Sequence, residues 1–204
     1  MKIYIDFDGT LFDTDKYTED FMNIFNKYGI DKDLFDKCKK IVFDNDDLFN
    51  LDIIIDYFIK NYNIDSNLKK DMEDLLNNSY IYPDVINCLD FLSSSGYELY
   101  LLSYGDEKFQ TKKIFKYDLV KYFNKIIITD KDKSNLDLDY ENGIFIDNNP
   151  IVIESLYNIN ANNLIRIKRK SDRYTKTACN ALGIIECEDF YEVIKFLKGG
   201  FDNE

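Results

Sequence analysis

The hydrophobic positions of this 204-residue chain change their period along the sequence. Residues 2–5 form a short apolar run of strand type, and residues 16–80 then carry apolar side chains at helical spacing. From residue 80 onward, apolar runs of strand length alternate with helical stretches. Strands separated by helices are typical of a parallel sheet, so the pattern predicts an α/β fold with a doubly wound parallel sheet.

The helical segments that follow the first strand are expected to form an insertion. They cover residues 16–28, 33–43, 48–62 and 67–77, and Asn, Asp and Gly residues separate them. Because this four-helix insertion leaves the sheet at the carboxyl end of the first strand, we expect it to overhang that end. The predicted division is a core of residues 1–14 and 81–204 and an inserted unit of residues 15–80.

The alternating part of the chain predicts the remaining elements. Strands are expected at residues 97–102, 125–129, 143–146, 164–167 and 183–185. Helices are expected at residues 83–95, 107–117 and 189–197, and Pro150 stands where the first turn of a further helix would begin.

The first strand runs directly into Asp6-Phe7-Asp8-Gly9-Thr10. Side chains alternate along a strand, so Asp6 and Asp8 point to the same side at its carboxyl end. Open α/β sheets bind their ligands at that end, and a carboxylate pair there suits Mg²⁺ binding and covalent phosphoryl transfer. The alternative is an ordinary Asp-Gly turn, but four fixed residues that also close a strand make a chance match improbable.

Composition narrows the possible functions. The net charge of −12 and a pI near 4.5 argue against a general attraction to nucleic acid or to an anionic membrane. The hydrophobic fraction of 45% supplies a sizeable core and excludes global disorder. The chain has no histidine, so every mechanism that depends on imidazole is excluded.

The cysteines and the hydropathy pattern bear on location. The four cysteines show neither C-x-x-C spacing nor the density of a disulfide scaffold; they are Cys38, Cys88, Cys179 and Cys187. The first aspartate comes too early for a secretory signal, and no uncharged apolar run of membrane-spanning length occurs. We therefore expect a soluble, cytoplasmic protein with reduced thiols.

The segment from Asp6 to Thr10, followed by Leu11, resembles motif I of the haloacid-dehalogenase-like phosphatase superfamily. The resemblance implies a Rossmann-like core with a helical cap inserted after the first strand. It also implies Mg²⁺-dependent hydrolysis of a phosphate monoester through an aspartyl phosphate. Asp6 would be the nucleophile and a metal ligand. Asp8 would act as the acid and base and would also bind the metal through its backbone carbonyl. Thr10 would bind the substrate.

Ser103 ends the next apolar strand, in Leu-Leu-Ser-Tyr-Gly-Asp, and resembles motif II of the superfamily. Its hydroxyl, with the backbone N–H groups around Tyr104, would hold a phosphoryl oxygen. Taken alone the match is weak, because Ser-x-Gly-Asp is also ordinary turn and helix-capping chemistry.

Motif III of the superfamily is a lysine, and Lys131 and Lys133 both follow the third strand of the sequence. Lys133 is preferred because its position fourteen residues before Asp147 resembles the nucleotidase-type members, and Lys131 stays an alternative. Asp147 resembles motif IV and would complete the Mg²⁺ site, or it merely caps the helix after it. Many members carry a second acid next, where this chain has Asn148; we expect weaker metal binding as a result.

Several functional alternatives stay open. Asp8 argues against a dehalogenase, because such members lack an acid at that position. A phosphomutase or phosphotransferase would use the same aspartates, and a catalytically silent phosphate-binding regulatory module is a further alternative. The expected partner is a small phosphorylated metabolite such as a nucleotide or a sugar phosphate. A basic cluster after the fifth strand would either attract an anionic substrate or form a solvated loop, and the solvated loop is preferred; the cluster comprises Arg166, Lys168, Arg169, Lys170, Arg173 and Lys176.

Overall fold

The computed structural model describes residues 1–43 and 48–199. Its centre is a six-stranded sheet in the order β3-β2-β1-β4-β5-β6, in which every neighbouring pair is parallel. The strands are β1 (Lys2–Ile5), β2 (Glu98–Tyr104), β3 (Lys125–Thr129), β4 (Ile144–Asp147), β5 (Asn163–Ile167) and β6 (Ile185–Cys187). Parallel pairing requires crossover connections, and helices supply most of them.

The helices cover both faces of the sheet. They are α1 (Thr14–Lys27), α2 (Lys32–Val42), α3 (Leu51–Tyr62), α4 (Asn67–Leu75), α5 (Val85–Ser94), α6 (Glu107–Lys116), α7 (Pro150–Asn158) and α8 (Phe190–Gly199). On one face, α5 packs against α8 over side chains such as Ile3 and Ile5. On the other face, α7 covers Tyr4 and Phe145. The alternation of side chains along β1 thus feeds two cores.

The first four helices after β1, α1 to α4, pack on one another and on α6. Helix α1 contacts α4, and α3 contacts both α2 and α4. Their shared core is aromatic: the Phe25 ring centroid lies 5.0 Å from that of Phe35 and 5.6 Å from that of Phe58. Asn50 donates a hydrogen bond of 2.8 Å to Asp106 at the start of α6, which joins the insertion to the sheet layer.

The predicted doubly wound α/β fold with a helical insertion is confirmed. The predicted elements agree with the structure to within about three residues at their ends, which is the usual uncertainty of boundaries. The division at residues 15–80 stays a prediction. Residues 44–47 of the predicted insertion and 200–204 of the predicted core lie outside the described residues. None of the described helices has both the length and the apolar character that spanning a membrane requires.

The register of the central strands determines which side chains meet at the edge of the sheet. Ile5 of β1 pairs with Ile146 of β4, so Asp6 and Asp147 follow side by side. The backbone N–H of Asp6 donates to the Ile146 carbonyl at 2.9 Å and extends this pairing by one residue. On the other side of β1, Ile5 pairs with Leu101, two residues before Ser103. The candidate residues are therefore collected at the carboxyl ends of three adjacent strands.

Candidate active site

The loop after β1 turns sharply at Gly9. The φ angle of Gly9 is +79°, and a Cβ atom at this position would overlap the side-chain amide of Asn148. Both conditions favour glycine, because other residues are strained at this φ and would collide with Asn148. The turn is closed by the Leu11 N–H, which donates to the Phe7 carbonyl at 2.9 Å. Gly9 therefore lets the loop leave the strand while Asn148 stays against it.

Lys133 brings Asp6 and Asp147 together. Its Nζ lies 2.6 Å from Asp6 Oδ1 and 2.7 Å from Asp147 Oδ2, and all three side chains are buried. Lys133 begins a short 3-10 turn, Lys133–Asn135, and the Asp132 side chain caps this turn by accepting from the Ser134 N–H. Lys131, the alternative from the sequence, is exposed to solvent. Of the two lysines, Lys133 is thus the one in contact with the carboxylates.

Burial and the neighbouring charges both shift the pKa values of Asp6 and Lys133. Burial raises the pKa of Asp6 to about 7; the Lys133 ammonium lowers it in part, and the Asp147 carboxylate raises it further. Burial alone would lower the pKa of Lys133, but Asp147 and Asp6 together raise it above its usual value. Lys133 is therefore a permanent cation, whereas the charge of Asp6 depends on what else lies beside it.

Asp8 is held by different partners. Lys113 Nζ lies 2.5 Å from Asp8 Oδ1, Gln110 Nε2 donates to Asp8 Oδ2 at 2.7 Å, and the Thr14 hydroxyl donates to Asp8 Oδ1 at 2.9 Å. Gln110 also donates to the Tyr104 carbonyl at 2.9 Å, which ties α6 to the end of β2. Asp8 is thus fixed by residues of α1 and α6, on the side of the insertion.

These partners stabilise the ionised form of Asp8. Burial opposes ionisation, but the Lys113 ammonium and the hydrogen bonds from Lys113, Gln110 and Thr14 hold the pKa of Asp8 below its usual value. Lys113 is itself buried, and its Nζ lies 5.0–5.7 Å from the ring centroids of Phe7, Phe12 and Phe109. The aromatic faces stabilise a cation that has little contact with water.

Ser103 and Thr10 are placed more deeply than the carboxylates. Both are fully buried, and within the described part of the chain neither hydroxyl has a hydrogen-bond partner. A buried hydroxyl without a partner carries a free-energy cost, so these two groups have hydrogen-bonding capacity for a bound ligand. Tyr104 is half exposed, with 50% of its surface accessible, and it is one of the residues that line the cavity.

A cavity of about 480 Å³ opens in front of these groups. Asp6, Asp8, Lys133 and Asp147 line its inner end, and residues of α1, α2 and α6 line its outer part. Volumes of roughly 300–1,000 Å³ are usual for small-molecule sites. The predicted carboxylates and lysine therefore share one cavity, whereas Thr10 and Ser103 lie behind its surface.

The donors at the inner end suit a hard cation. Asp6 and Asp147 both contact a single ammonium group, so their carboxylates lie within reach of one ion. No group of three or more acidic or sulfur side chains with metal-site geometry occurs among residues 1–43 and 48–199. Mg²⁺ commonly uses one or two carboxylates and keeps several waters, so two carboxylates fit Mg²⁺ better than ions that require a full protein cage.

Asn148 has an unexpected partner. It is buried at the cavity, and its Nδ2 donates to Asp172 of the segment after β5. Burial raises the pKa of Asp172, and the Tyr174 N–H and Asn148 amide oppose that rise. An acid is therefore present near this part of the site, but it contacts Asn148 and comes from a different loop.

Lys113 and Gln110 are absent from the residues predicted from the sequence. They lie three residues apart on α6 and share a face, on which apolar side chains such as Ile114 would be expected. Ile114 is four residues after Gln110 and is fully buried. Polar residues that interrupt the apolar stripe of a helix are the signal that would have indicated a buried polar contact.

The basic cluster is not a single solvated loop, and that expectation is wrong for two of its members. Arg166 is buried and donates to the Tyr174 carbonyl at 2.7 Å. Arg169 is also buried, donating to Asp84 at 2.7 Å and to the Thr10 carbonyl at 2.9 Å. These arginines stabilise the segment after β5 because they satisfy backbone carbonyls.

Comparisons with known proteins agree with the fold. The family model described as haloacid dehalogenase-like hydrolase matches residues 3–135. A search of curated proteins found no match. The structure of a HAD phosphatase from Thermococcus onnurineus is 22% identical, with a TM-score of 0.67 over 98% of this chain and 99% of that one.

Two further structures are similar in fold. A putative beta-phosphoglucomutase from Thermotoga maritima is 18% identical, with a TM-score of 0.65 over 98% of this chain and 100% of that one. The L-2-haloacid dehalogenase from Xanthobacter autotrophicus, with chloropropionic acid covalently bound, is 14% identical, with a TM-score of 0.65 over 98% of each chain. At these identities the likeness concerns the fold.

Proposed function

Because the chain belongs to the haloacid dehalogenase-like hydrolase family, we propose that it hydrolyses phosphate monoesters with Asp6 as nucleophile and Mg²⁺ as cofactor. The observation that carries this proposal is the separation of the two carboxylates. Asp6 lies with Lys133 and Asp147, whereas Asp8 is held by Lys113, Gln110 and Thr14. Two neighbouring acids in different surroundings are suited to two different roles.

In the first step, a carboxylate oxygen of Asp6 attacks phosphorus, and the bond from phosphorus to the ester oxygen breaks. Asp8 gives a proton to the departing oxygen, so the product leaves as a neutral alcohol. Lys133 compensates the charge that gathers around the phosphoryl group, because it is buried beside Asp6 and stays protonated. The product of this step is an aspartyl phosphate on Asp6.

In the second step, Asp8 takes a proton from water, and the water oxygen attacks the phosphoryl group. The bond to Asp6 breaks, which releases inorganic phosphate and restores the Asp6 carboxylate. The contacts of Asp8 support this role as a base, because Lys113, Gln110 and Thr14 favour its ionised form. To act as the acid in the first step, Asp8 must carry a proton, and this requires loosening of its contact with Lys113.

The residues proposed to hold Mg²⁺ are Asp6, Asp147 and the backbone carbonyl of Asp8. When bound, Mg²⁺ supplies positive charge to the phosphoryl oxygens and orients them for in-line attack. Asn148 stands where many members of the family have a second acidic residue. Because its Nδ2 donates to Asp172, its amide oxygen is the atom that could accept a hydrogen bond from a water on the metal. We expect weak to moderate Mg²⁺ affinity for this reason.

The phosphoryl oxygens are proposed to be held by Ser103, Thr10 and Lys133. The support is that the two hydroxyls are buried without a partner among the described residues. Because both lie behind the cavity surface, the proposed contact requires the groups that cover them to move. Tyr104 and Gly105 follow Ser103 at the end of β2, and both residues line the cavity. The cavity volume favours a small metabolite as the substrate.

Two related reactions are weighed against hydrolysis. Dehalogenation releases a halide ion, which needs no proton. An acid at the position of Asp8 would then have no leaving group to protonate, so Asp8 favours phosphate ester hydrolysis. A phosphomutase would use the same aspartates and differ in returning the phosphoryl group to a second hydroxyl of its substrate. A silent phosphate-binding module would keep the pocket but show no turnover.

The test is release of phosphate from p-nitrophenyl phosphate and a panel of phosphorylated metabolites, with and without Mg²⁺. Asp6→Asn is the control, because it keeps the size of the side chain and removes the nucleophile. We expect Mg²⁺-dependent release that Asp6→Asn abolishes. Equal rates for the two proteins over the whole panel would overturn the proposal and favour the silent module.

A further inference from the structure

The outer part of the cavity is walled by aromatic rings. They come from four parts of the chain, namely Tyr17 and Phe21 of α1, Phe35 of α2, Phe49 before α3, and Phe109 of α6. The Phe49 ring centroid lies 5.8 Å from that of Phe109 and 6.5 Å from that of Phe35. These rings thus form a continuous wall between the insertion and the helix that carries Lys113.

The insertion contributes Thr18, Lys32, Asp36 and Lys39 to the polar lining of the cavity, and Arg173 lines it from the segment after β5. Of the charged side chains that the insertion contributes, Lys32 and Asp36 bind each other. The Nζ of Lys39 lies 5.0 Å from the Phe49 ring centroid, so this cation is also placed against an aromatic face. Against the rings themselves, a polyhydroxylated leaving group would lose water and gain few hydrogen bonds, which carries a free-energy cost.

From this contrast we propose that the leaving group of the substrate carries a planar aromatic ring of nucleobase size, bound against Phe49 and Phe109. The inference rests on the proposed phosphatase function and specifies its substrate class. Aromatic rings pack favourably in offset or edge-to-face arrangements at centroid distances of about 4.5–7 Å, which is the spacing the wall already uses. Substrates of this class are nucleoside monophosphates, and simple sugar phosphates are poor substrates.

The experiment compares uridine 5′-monophosphate with ribose 5-phosphate. The two share the phosphate and the ribose, so the difference in kcat/KM isolates the contribution of the base. Stacking of one base on aromatic side chains is expected to raise kcat/KM by roughly 10- to 100-fold. Hydrolysis of ribose 5-phosphate at an equal or higher kcat/KM overturns the inference and leaves the phosphatase function standing. Hydrolysis of neither compound, with no difference from Asp6→Asn across the metabolite panel, overturns both.

Phe49→Leu tests the position of the ring. Phe49 is only partly buried, and leucine keeps an apolar side chain without the aromatic face. We expect kcat/KM for uridine 5′-monophosphate to fall roughly tenfold through KM, with that for ribose 5-phosphate unchanged. Phe115→Leu is the matched control, because Phe115 lies on α6 with 58% of its surface exposed and outside the cavity lining. Equal losses for both substrates in Phe49→Leu would overturn the assignment to Phe49.

Discussion

The ammonium group of Lys133 donates a hydrogen bond of 2.6 Å to Asp6, although the two residues stand 127 positions apart in the chain. The same group donates to Asp147 at 2.7 Å. One buried cation thus compensates two buried carboxylates at the ends of neighbouring strands. Since removal of a partner from a buried ion pair leaves an uncompensated charge, this contact links the stability of the core to the chemistry of the site.

Lys133→Met is expected to destabilise the protein without Mg²⁺ by roughly 3–5 kcal/mol, because Asp6 and Asp147 would then face each other in a buried environment. Chemical unfolding followed by circular dichroism measures this change. Added Mg²⁺ should restore part of the loss, since it binds the folded protein.

Lys131→Met is the matched control for this experiment. Lys131 is exposed, so its replacement should change the free energy of unfolding by less than about 0.5 kcal/mol. The pair therefore also decides between the two lysines that the sequence left open. Equal effects of the two substitutions would contradict the role given to Lys133.

Asp8→Asn should lower kcat by roughly 10² to 10⁴, the usual contribution of general acid–base catalysis, while Mg²⁺ binding is retained. The amide keeps the shape of the side chain but neither gives nor takes the proton at the reacting oxygen. Steady-state kinetics with p-nitrophenyl phosphate and calorimetric titration with Mg²⁺ measure the two properties separately.

Asp13→Asn serves as the control for Asp8→Asn. Asp13 caps α1, accepting a hydrogen bond of 3.0 Å from the Lys16 N–H, and asparagine can make the same contact. Its kcat should stay close to that of the parent protein. Unchanged turnover in Asp8→Asn would remove Asp8 from the acid and base role.

The sequence predicted the central part of the site because that part follows from strand geometry. Asp6 comes directly after a buried strand, Asp147 is the last residue of another, and the parallel register brings the two strand ends together. Period and polarity therefore suffice to place them at one edge of the sheet. Lys133 needed the resemblance as well, because a lysine in a loop has no periodic signal.

The partners of Asp8 could not be found in the same way. Lys113 reaches Asp8 only because α6 packs beside the loop after β1, and that packing depends on contacts between residues 105 positions apart. Asp172 reaches Asn148 through an irregular segment, for which neither strand nor helix period gives an orientation. The aromatic wall is likewise assembled from four parts of the chain, and a local pattern covers only one of them at a time.

Lys113→Met is expected to move the pH dependence of kcat to higher pH. Burial raises the pKa of Asp8, and Lys113 lowers it by favouring the ionised form. When Lys113 is removed, the pKa of Asp8 therefore rises. The limb of the pH profile that depends on Asp8 then moves to higher pH. Lys113→Arg keeps the positive charge and should move this limb much less. A merely structural lysine would lower kcat without moving the profile.

Lys112→Met provides the comparison for Lys113→Met on the same helix. Lys112 lies 2.5 Å from Asp52, away from Asp8, and 39% of its side chain is exposed. Its pH profile should coincide with that of the parent protein. A shift of equal size in both variants would indicate a general effect of charge on α6.

Mg²⁺ affinity should fall as the pH is lowered below about 7. Burial raises the pKa of Asp6 to about 7. The Lys133 ammonium lowers this pKa in part, and the Asp147 and Asp8 carboxylates raise it. Below this pH the carboxyl is protonated, so Mg²⁺ must displace a proton and its apparent affinity drops by up to about tenfold per pH unit. Calorimetric titrations at pH 6 and pH 8 measure the difference and the number of protons released. Asp6→Asn should bind Mg²⁺ weakly, and its affinity should change little between pH 6 and pH 8. If the parent protein binds Mg²⁺ equally well at both pH values, Asp6 is already ionised at pH 6 and the prediction is wrong.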